Sequence, residues 1–224
     1  MYLGQHVRDL FSFLTPASAN RPNADCYHYR VTNPAPQGIP RDLATVFLDR
    51  DGVLNQKMPE ASYVRSLDDF HVLPGVPEAI ARLNKAGLRV IVVSNQRGIA
   101  LGLYTAADVQ AIHSGFQRIL NSHSAHIDAF FICPHDRNQC NCRKPLSGLF
   151  DQAATQFTNI TAETSVMIGD SLVDMEFARR LGMTAILIES DSATPRPEDA
   201  SAQAIADLRF CSLTEAVNAL LGQR

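Results

Sequence analysis

From Ala44 onward, short apolar runs rich in Val, Ile and Phe recur: ATVFLD (44–49), LRVIVVSN (88–95), IDAFFIC (127–133), TSVMIGD (164–170) and TAILIE (184–189). They are nearly continuous rather than alternating with polar residues, which predicts strands buried on both faces. Between them lie helical stretches at 76–87, 105–122, 148–157 and 174–182. Pro77 sits in a first turn, and Gly87 and Gly182 fall where a helix-ending glycine belongs. Thr105 with Asp108 resembles a capping box. A last strand over 208–213 and a helix over 214–222 close the pattern. Strands alternating with helices imply an α/β fold, a doubly wound parallel sheet covered on both faces.

Residues 1–43 read differently. A short amphipathic stretch near 4–14 gives way to TPASANRPNAD and TNPAPQGIPRD, which are dense in turn and breaker residues. The expected organisation is an irregular N-terminal arm over 1–43 and one domain over 44–224. The 46% hydrophobic and 19% charged residues are those of an ordinary globular protein, and a net charge of −3 gives no basic footprint for nucleic acid. No run approaches the roughly 18 apolar residues of a membrane span. Arg8 and Asp9 interrupt the N-terminal apolar stretch, which also lacks a basic lead-in, so no secretory signal is expected. The expectation is a cytoplasmic monomer that engages neither nucleic acid nor membrane.

The polar residues change this picture by where they fall. The first strand ends in Asp49-Arg50-Asp51, the second in Ser94-Asn95-Gln96 and the fourth in Gly169-Asp170-Ser171; Arg143-Lys144-Pro145 follows the third. In a doubly wound sheet ligands bind beyond the carboxyl ends of the strands, so these clusters converge on one crevice. Asp49 and Asp51, two residues apart, lie on one side of an extended chain, and Gly52 permits a sharp turn after them. Neighbouring carboxylates stay ionised together only beside a cation. With Asp170 as a third acid and no His or Cys nearby, the donor set suits Mg²⁺. Lys144 and Ser94 add a cationic and a neutral donor suited to a phosphate. A carboxylate can also act as a covalent nucleophile, so the cluster reads as phosphoryl transfer. DxDG alone is a weak signal, as common in a capped turn; its combination with Ser94, Lys144 and Asp170 is specific.

Cys133, His135, Cys140 and Cys142 form a C-x-H-x₄-C-x-C set. Three thiolates and an imidazole make a closed structural Zn²⁺ sphere. Cys142 adjoins Arg143 and Lys144, so the metal would stiffen the loop that presents them. The bland alternative is free thiols on a loop. Cys26 and Cys211 stand apart and are expected to pack as small apolar residues. His113, His123 and His126, on or just after a helix, lack metal spacing, and His6, His28 and His71 stand alone; packing or surface roles are expected.

Taken in order, DRDGVLN, VVSNQ, RKP and IGDSLVDM resemble the haloacid dehalogenase superfamily of phosphatases over about residues 44–190. DRDG-x-L-N, SNQ-x-GIA-x-G and CPH…C-x-CRKP together resemble the branch of heptose-bisphosphate and histidinol-phosphate phosphatases. The resemblance implies a nucleophilic Asp49 and Asp51 as general acid, then base. It implies Ser94 and Lys144 on the phosphoryl oxygens, with Asn95 close by and Arg143 reaching toward the substrate. Mg²⁺ would be held by Asp49, the backbone carbonyl of Asp51 and Asp170, with Asp174 in support. Residues 55–74 would form a flap over a capless crevice, from which Tyr63 or Arg65 touches substrate. Ser171, Arg97 and Val53 depart from the residues common in that branch, and the first two sit near the phosphate site. The implied activity is Mg²⁺-dependent hydrolysis of a small phosphorylated metabolite, a heptose bisphosphate first and histidinol phosphate second. A polynucleotide 3'-phosphatase is disfavoured by the lack of basic excess and of an aromatic stacking stripe. A silent zinc-stabilised interaction module is disfavoured by the presence of both Asp49 and Asp51.

Overall fold

The computed structural model describes residues 38–59, 62–189 and 197–222. In chain order the elements are β1 (Thr45–Leu48), α1 (Val76–Lys85), β2 (Arg89–Asn95), α2 (Ala106–Ser122), β3 (Ala129–Cys133) and α3 (Gly148–Gln156). They continue as β4 (Ser165–Gly169), α4 (Leu172–Leu181), β5 (Thr184–Ile188), α5 (Pro197–Ile205), β6 (Leu208–Phe210) and α6 (Leu213–Gly222). The strands form one parallel sheet in the order β3-β2-β1-β4-β5-β6.

Side chains alternate across each strand, and here both faces are apolar. Val46, Leu48, Val90, Val92, Val166 and Ile168 face one core with Leu83 of α1, Phe116 of α2 and Leu220 of α6. Phe47, Ile91, Val93 and Met167 face the other with Leu149 of α3, Phe177 of α4 and Ala202 of α5. Two-sided burial is why the strand sequences lack polar alternation.

Helix ends follow the sequence signals. Asp108 N–H donates to Thr105 Oγ1 at 3.2 Å, and Thr105 N–H donates to Asp108 Oδ2 at 2.7 Å, closing the capping box. Gly182 ends α4 at φ 83°, a left-handed conformation that a Cβ disfavours. Helix α5 was not among the expected elements. Its buried contribution comes from small residues such as Ala202, so its apolar stripe is faint. The overlooked signals were the proline at its start and Glu198 and Asp199 in its first turn.

Residues 1–37 of the expected arm, and Cys26 with them, lie outside the described residues. Residues 38–43 already belong to the domain: Leu43 is buried in the core, and Gly38 O accepts from Thr184 Oγ1. Cys211, just past β6, is disulfide-bonded rather than a small packed thiol. No described helix is long and apolar enough to cross a membrane.

The chain steps outward from β1 to β2 and β3, then returns to lay β4 on the other side of β1. The carboxyl ends of β1 and β4 are therefore the switch point where loops part and a crevice opens. Residues 50–59 and 62–74 fold back as a flap. Leu54 and Asn55 N–H groups donate to Arg50 O, and Asn55 bridges Asp51 and Val72. The flap is anchored beneath by Val53, Leu54, Val64 and Phe70, and the Phe70 ring lies 5.0 Å from that of Phe116. Truncating Phe116 to alanine empties this contact and should cost about 3–5 kcal/mol. Urea denaturation measures the loss, and limited proteolysis should show faster cutting within 56–66.

Candidate active site

Strand β1 carries Asp49 to the switch point, where its N–H donates to Ile168 O of β4 at 2.9 Å. Lys144, which is 3% exposed, reaches in from the loop after β3. Its Nζ donates to Asp49 Oδ1 at 2.8 Å and to Asp174 Oδ1 at 2.5 Å. Asp174 is 1% exposed in the first turn of α4, and Ser171 Oγ donates to its second oxygen at 2.5 Å. Asp170 follows β4 directly. Asp49, Asp170 and Asp174 each offer an oxygen within 4.8 Å of the others. Three buried hard donors at that spacing fit a divalent cation such as Mg²⁺.

Two glycines make this approach possible. Gly169 packs against Asp174, whose Cβ would lie 2.2 Å from any Cβ added there. Gly52 has φ 96°, and an added Cβ would meet Asp170 Oδ2 at 2.4 Å. The turn expected at Gly52 is therefore present, and it doubles as the close contact between the β1 and β4 loops.

Asp51 does not share this cluster through its carboxylate. Strand β1 stops at Leu48, so the same-side geometry of an extended chain is lost before Asp51. Its carboxylate instead accepts from Arg50 Nη2 at 2.8 and 2.9 Å, Arg50 Nε at 3.2 Å and Asn55 Nδ2 at 2.9 Å. The third acid beside Asp49 and Asp170 is Asp174, expected only in support. Arg50 is 1% exposed, a buried cation whose carboxylate partner is its own chain neighbour.

Ser94 and Gln96 are each 1% exposed at the end of β2. The Gln96 amide donates to Tyr104 Oη at 2.8 Å and accepts from Ser94 Oγ at 2.8 Å and Arg50 at 3.2 Å. Asn95, expected near a phosphate, grips the backbone of Lys144: Nδ2 donates to Lys144 O at 3.1 Å, and Lys144 N–H donates to Oδ1 at 3.0 Å. Arg143 lies in the same loop, and its Nη1 is buried with no hydrogen-bond partner among the described residues.

A cavity of about 260 Å³ opens beside the cluster, between the flap and the end of β2, and Tyr63 lines it while Arg65 does not. Lys57, which the sequence reading passed over, also lines it, and its Nζ lies 2.5 Å from Asp170 Oδ2. Arg50, Asn55, Gln96 and Tyr104 were overlooked as well. The signal was there for two of them, since Asn55 ends DRDGVLN and Gln96 ends VVSNQ. His113 is buried and stacked on Phe130, centroids 4.2 Å apart, as its bland reading expected.

The cysteine loop begins where Gln96 N–H donates to Cys133 O at 2.8 Å, which fastens it to β2. Cys133 Sγ lies 3.5 Å from Cys140 Sγ and 3.7 Å from His135 Nδ1; Cys142 Sγ lies 3.4 Å from Cys140 Sγ and 3.3 Å from His135 Nδ1. Tetrahedral zinc with 2.3 Å bonds sets its sulfurs about 3.8 Å apart. These thiols are free of disulfides and close to that spacing.

Residues 141–216 match the HAD-hydrolase-like family. A Mycobacterium tuberculosis protein named D-glycero-alpha-D-manno-heptose-1,7-bisphosphate 7-phosphatase is 38% identical over 171 residues, 76% of this chain and 87% of that protein. A Bordetella bronchiseptica relative, named for the beta anomer, is 38% identical over 149 residues, 66% of this chain and 82% of that protein. A crystal structure of D,D-heptose 1,7-bisphosphate phosphatase from B. bronchiseptica, complexed with magnesium and phosphate, superposes with a TM-score of 0.69 at 32% identity. It covers 81% of this chain and 100% of that one. The chain belongs to the haloacid dehalogenase-type phosphatases. It is a phosphoric monoester hydrolase, and the crevice at the β1–β4 switch point is where its polar residues gather.

In this phosphatase the cluster's electrostatics are set by burial. Asp49 is pushed up to about 7 by burial, which Lys144 partly offsets and the Asp174, Asp170 and Asp51 carboxylates reinforce. Burial alone would lower Lys144, but Asp174 and Asp49 outweigh it and hold the ammonium above the usual lysine range.

A folded pKa above the unfolded value means that the stability from protonated Asp49 is fully present below about pH 4 and is lost as pH rises through 7. In EDTA, Asp49→Asn should therefore gain melting temperature over wild type as pH goes from 5.5 to 8.0. Mg²⁺ should stabilise wild type more at pH 8.0 than at 5.5, because the proton competes for Asp49. Scanning calorimetry at both pH values reads the two effects. Asp51→Ala behaves oppositely: it strands Arg50 as a buried unpaired cation and should cost about 2–3 kcal/mol, measured by urea denaturation.

Proposed function

We propose that the enzyme removes the 7-phosphate of D-glycero-D-manno-heptose 1,7-bisphosphate through an aspartyl-phosphate at Asp49. The observation that carries this reading is the buried Lys144 ammonium fixed between Asp49 and Asp174, beside Asp170. The names of the relatives supply the substrate.

Asp49 Oδ attacks the phosphorus and the ester oxygen leaves with the electrons of the P–O bond. Asp51 gives that oxygen its proton. Asp51 then takes a proton from water, whose oxygen attacks the phosphorus and returns Asp49 as a carboxylate with release of inorganic phosphate. Such proton transfer contributes about 10²–10⁴-fold in rate. Lys144 and Ser94 hold the phosphoryl oxygens, and Arg143, in the same loop as Lys144, reaches toward the substrate. Asn95 acts at one remove, by fixing the Lys144 backbone.

Asp49, Asp170 and the Asp51 carbonyl are the proposed Mg²⁺ ligands, with Asp174 supporting. When bound, the ion neutralises charge on the phosphoryl oxygens. Zn²⁺ in the Cys133, His135, Cys140 and Cys142 sphere would stiffen the loop that carries Arg143 and Lys144.

Phosphate release with Mg²⁺ from the 1,7-bisphosphate, beside histidinol phosphate, tests the reading. Preference for the bisphosphate, with at least a 10⁴-fold loss in Asp49→Asn, is the expected result. Preference for histidinol phosphate keeps the mechanism and changes the substrate. For the second metal, elemental analysis of purified protein should give about one zinc per chain, and Cys140→Ser with Cys142→Ser should abolish it.

A further inference from the structure

The cavity beside the carboxylate cluster has two cationic side chains in its lining, Arg50 and Lys57. Arg50 is buried and covered by the Asp51 carboxylate, so it offers no charge to a molecule in the cavity. Lys57 differs: its side chain is 42% exposed, although its ammonium reaches the buried Asp170. The backbone that carries it is fixed. Asn55, two residues earlier, bridges Asp51 and Val72, and Gln56 N–H donates to His71 O at 2.8 Å. Lys57 is thus a long, partly exposed cation on a fixed backbone at the edge of the cavity.

The direction of entry gives this cation a role. Lys144, Asp49 and Asp174 are buried, and the open space beside them is the cavity lined by Lys57, Tyr63 and Asn95. The remaining atoms of a phosphate ester bound at Asp49 would occupy that cavity. A group carrying a second dianionic charge offers the ammonium more negative charge and more acceptor oxygens than the single carboxylate of Asp170, which favours its transfer to that group. A substrate whose far end is cationic meets a like charge there, which is costly.

Building on the phosphatase reading above, we propose that Lys57 is the specificity-determining residue. It selects phosphate esters that carry a second anionic group over neutral-ended esters, and rejects amine-bearing ones such as an aminoalkyl phosphate.

The test compares wild type with Lys57→Gln and Lys57→Arg on heptose 1,7-bisphosphate and heptose 7-phosphate. Lys57→Gln leaves the buried Asp170 without this ammonium, so the readout is the ratio of two substrates on one preparation, which a loss of folded protein does not move. Lys57→Gln should cut the bisphosphate-to-monophosphate ratio of kcat/KM by about tenfold or more, mainly through KM, while Lys57→Arg keeps it. An unchanged ratio overturns the assignment and leaves the phosphatase reading standing. Calorimetry decides the matter even if wild type turns over neither sugar, an outcome that sinks the heptose reading alone. Titrated in Mg²⁺ buffer, the bisphosphate should bind Asp49→Asn at least tenfold more tightly than the Asp49→Asn, Lys57→Gln double variant. Equal affinity, or no binding to either, overturns the role of Lys57.

Discussion

One buried ammonium organises this protein. Lys144 sits almost out of solvent between the carboxylates of Asp49 and Asp174 and donates to both, so removing it would leave two buried acids without their shared cation. Much of the surrounding structure serves to hold that arrangement. Asn95 grips the Lys144 peptide from both sides, Ser171 takes the free oxygen of Asp174, and Gly169 lets α4 approach β4 closely enough for Asp174 to arrive. Three loops from three strand ends are thereby tied to a single charge, and the result is a surface of negative oxygens and positive donors aimed at one point.

The sheet makes this affordable. Residues at the ends of β1, β2 and β4 inherit the rigidity of strands packed on both faces, so their side chains lose little extra freedom on assembly. The flap borrows rigidity differently, through Phe70 packed on Phe116 and through the backbone bridges of Asn55. The carboxylate cluster thus sits on stiff supports, while Lys57, on the flap, reaches it with a side chain that is 42% exposed. On the reading proposed above, the first would fix charge around the phosphorus and the second would meet the part in which substrates differ.

Among the described residues, the strands, five of the six helices, and the placement of Asp49 and Asp170 beyond β1 and β4 with Lys144 on the loop after β3 were legible in the chain. Each rests on short-range patterning: continuous apolar runs, a capping box at Thr105, glycines after helices. Helix α5 escaped because alanine contributes little to an apolar stripe. Arg50 escaped for a different reason. A charge inside a DxD motif reads as solvent-facing, and only the fold buries it under Asp51, Gln96 and Phe70.

The sequence by itself determined the chemistry on offer: which acids, which lysine, which thiols, and that they lie beyond strand ends. Those are properties of residue type and of periods of two and 3.6, which a chain carries locally. Tertiary structure decided who partners whom. It sent Asp51 to Arg50 rather than to Asp49, promoted Asp174 from a helix turn into the charged cluster, gave Asn95 to the Lys144 backbone, and brought Lys57 to Asp170 across 113 positions. Electrostatic pairing depends on distances of a few ångströms between residues far apart in the chain. Those distances exist only once both cores have packed.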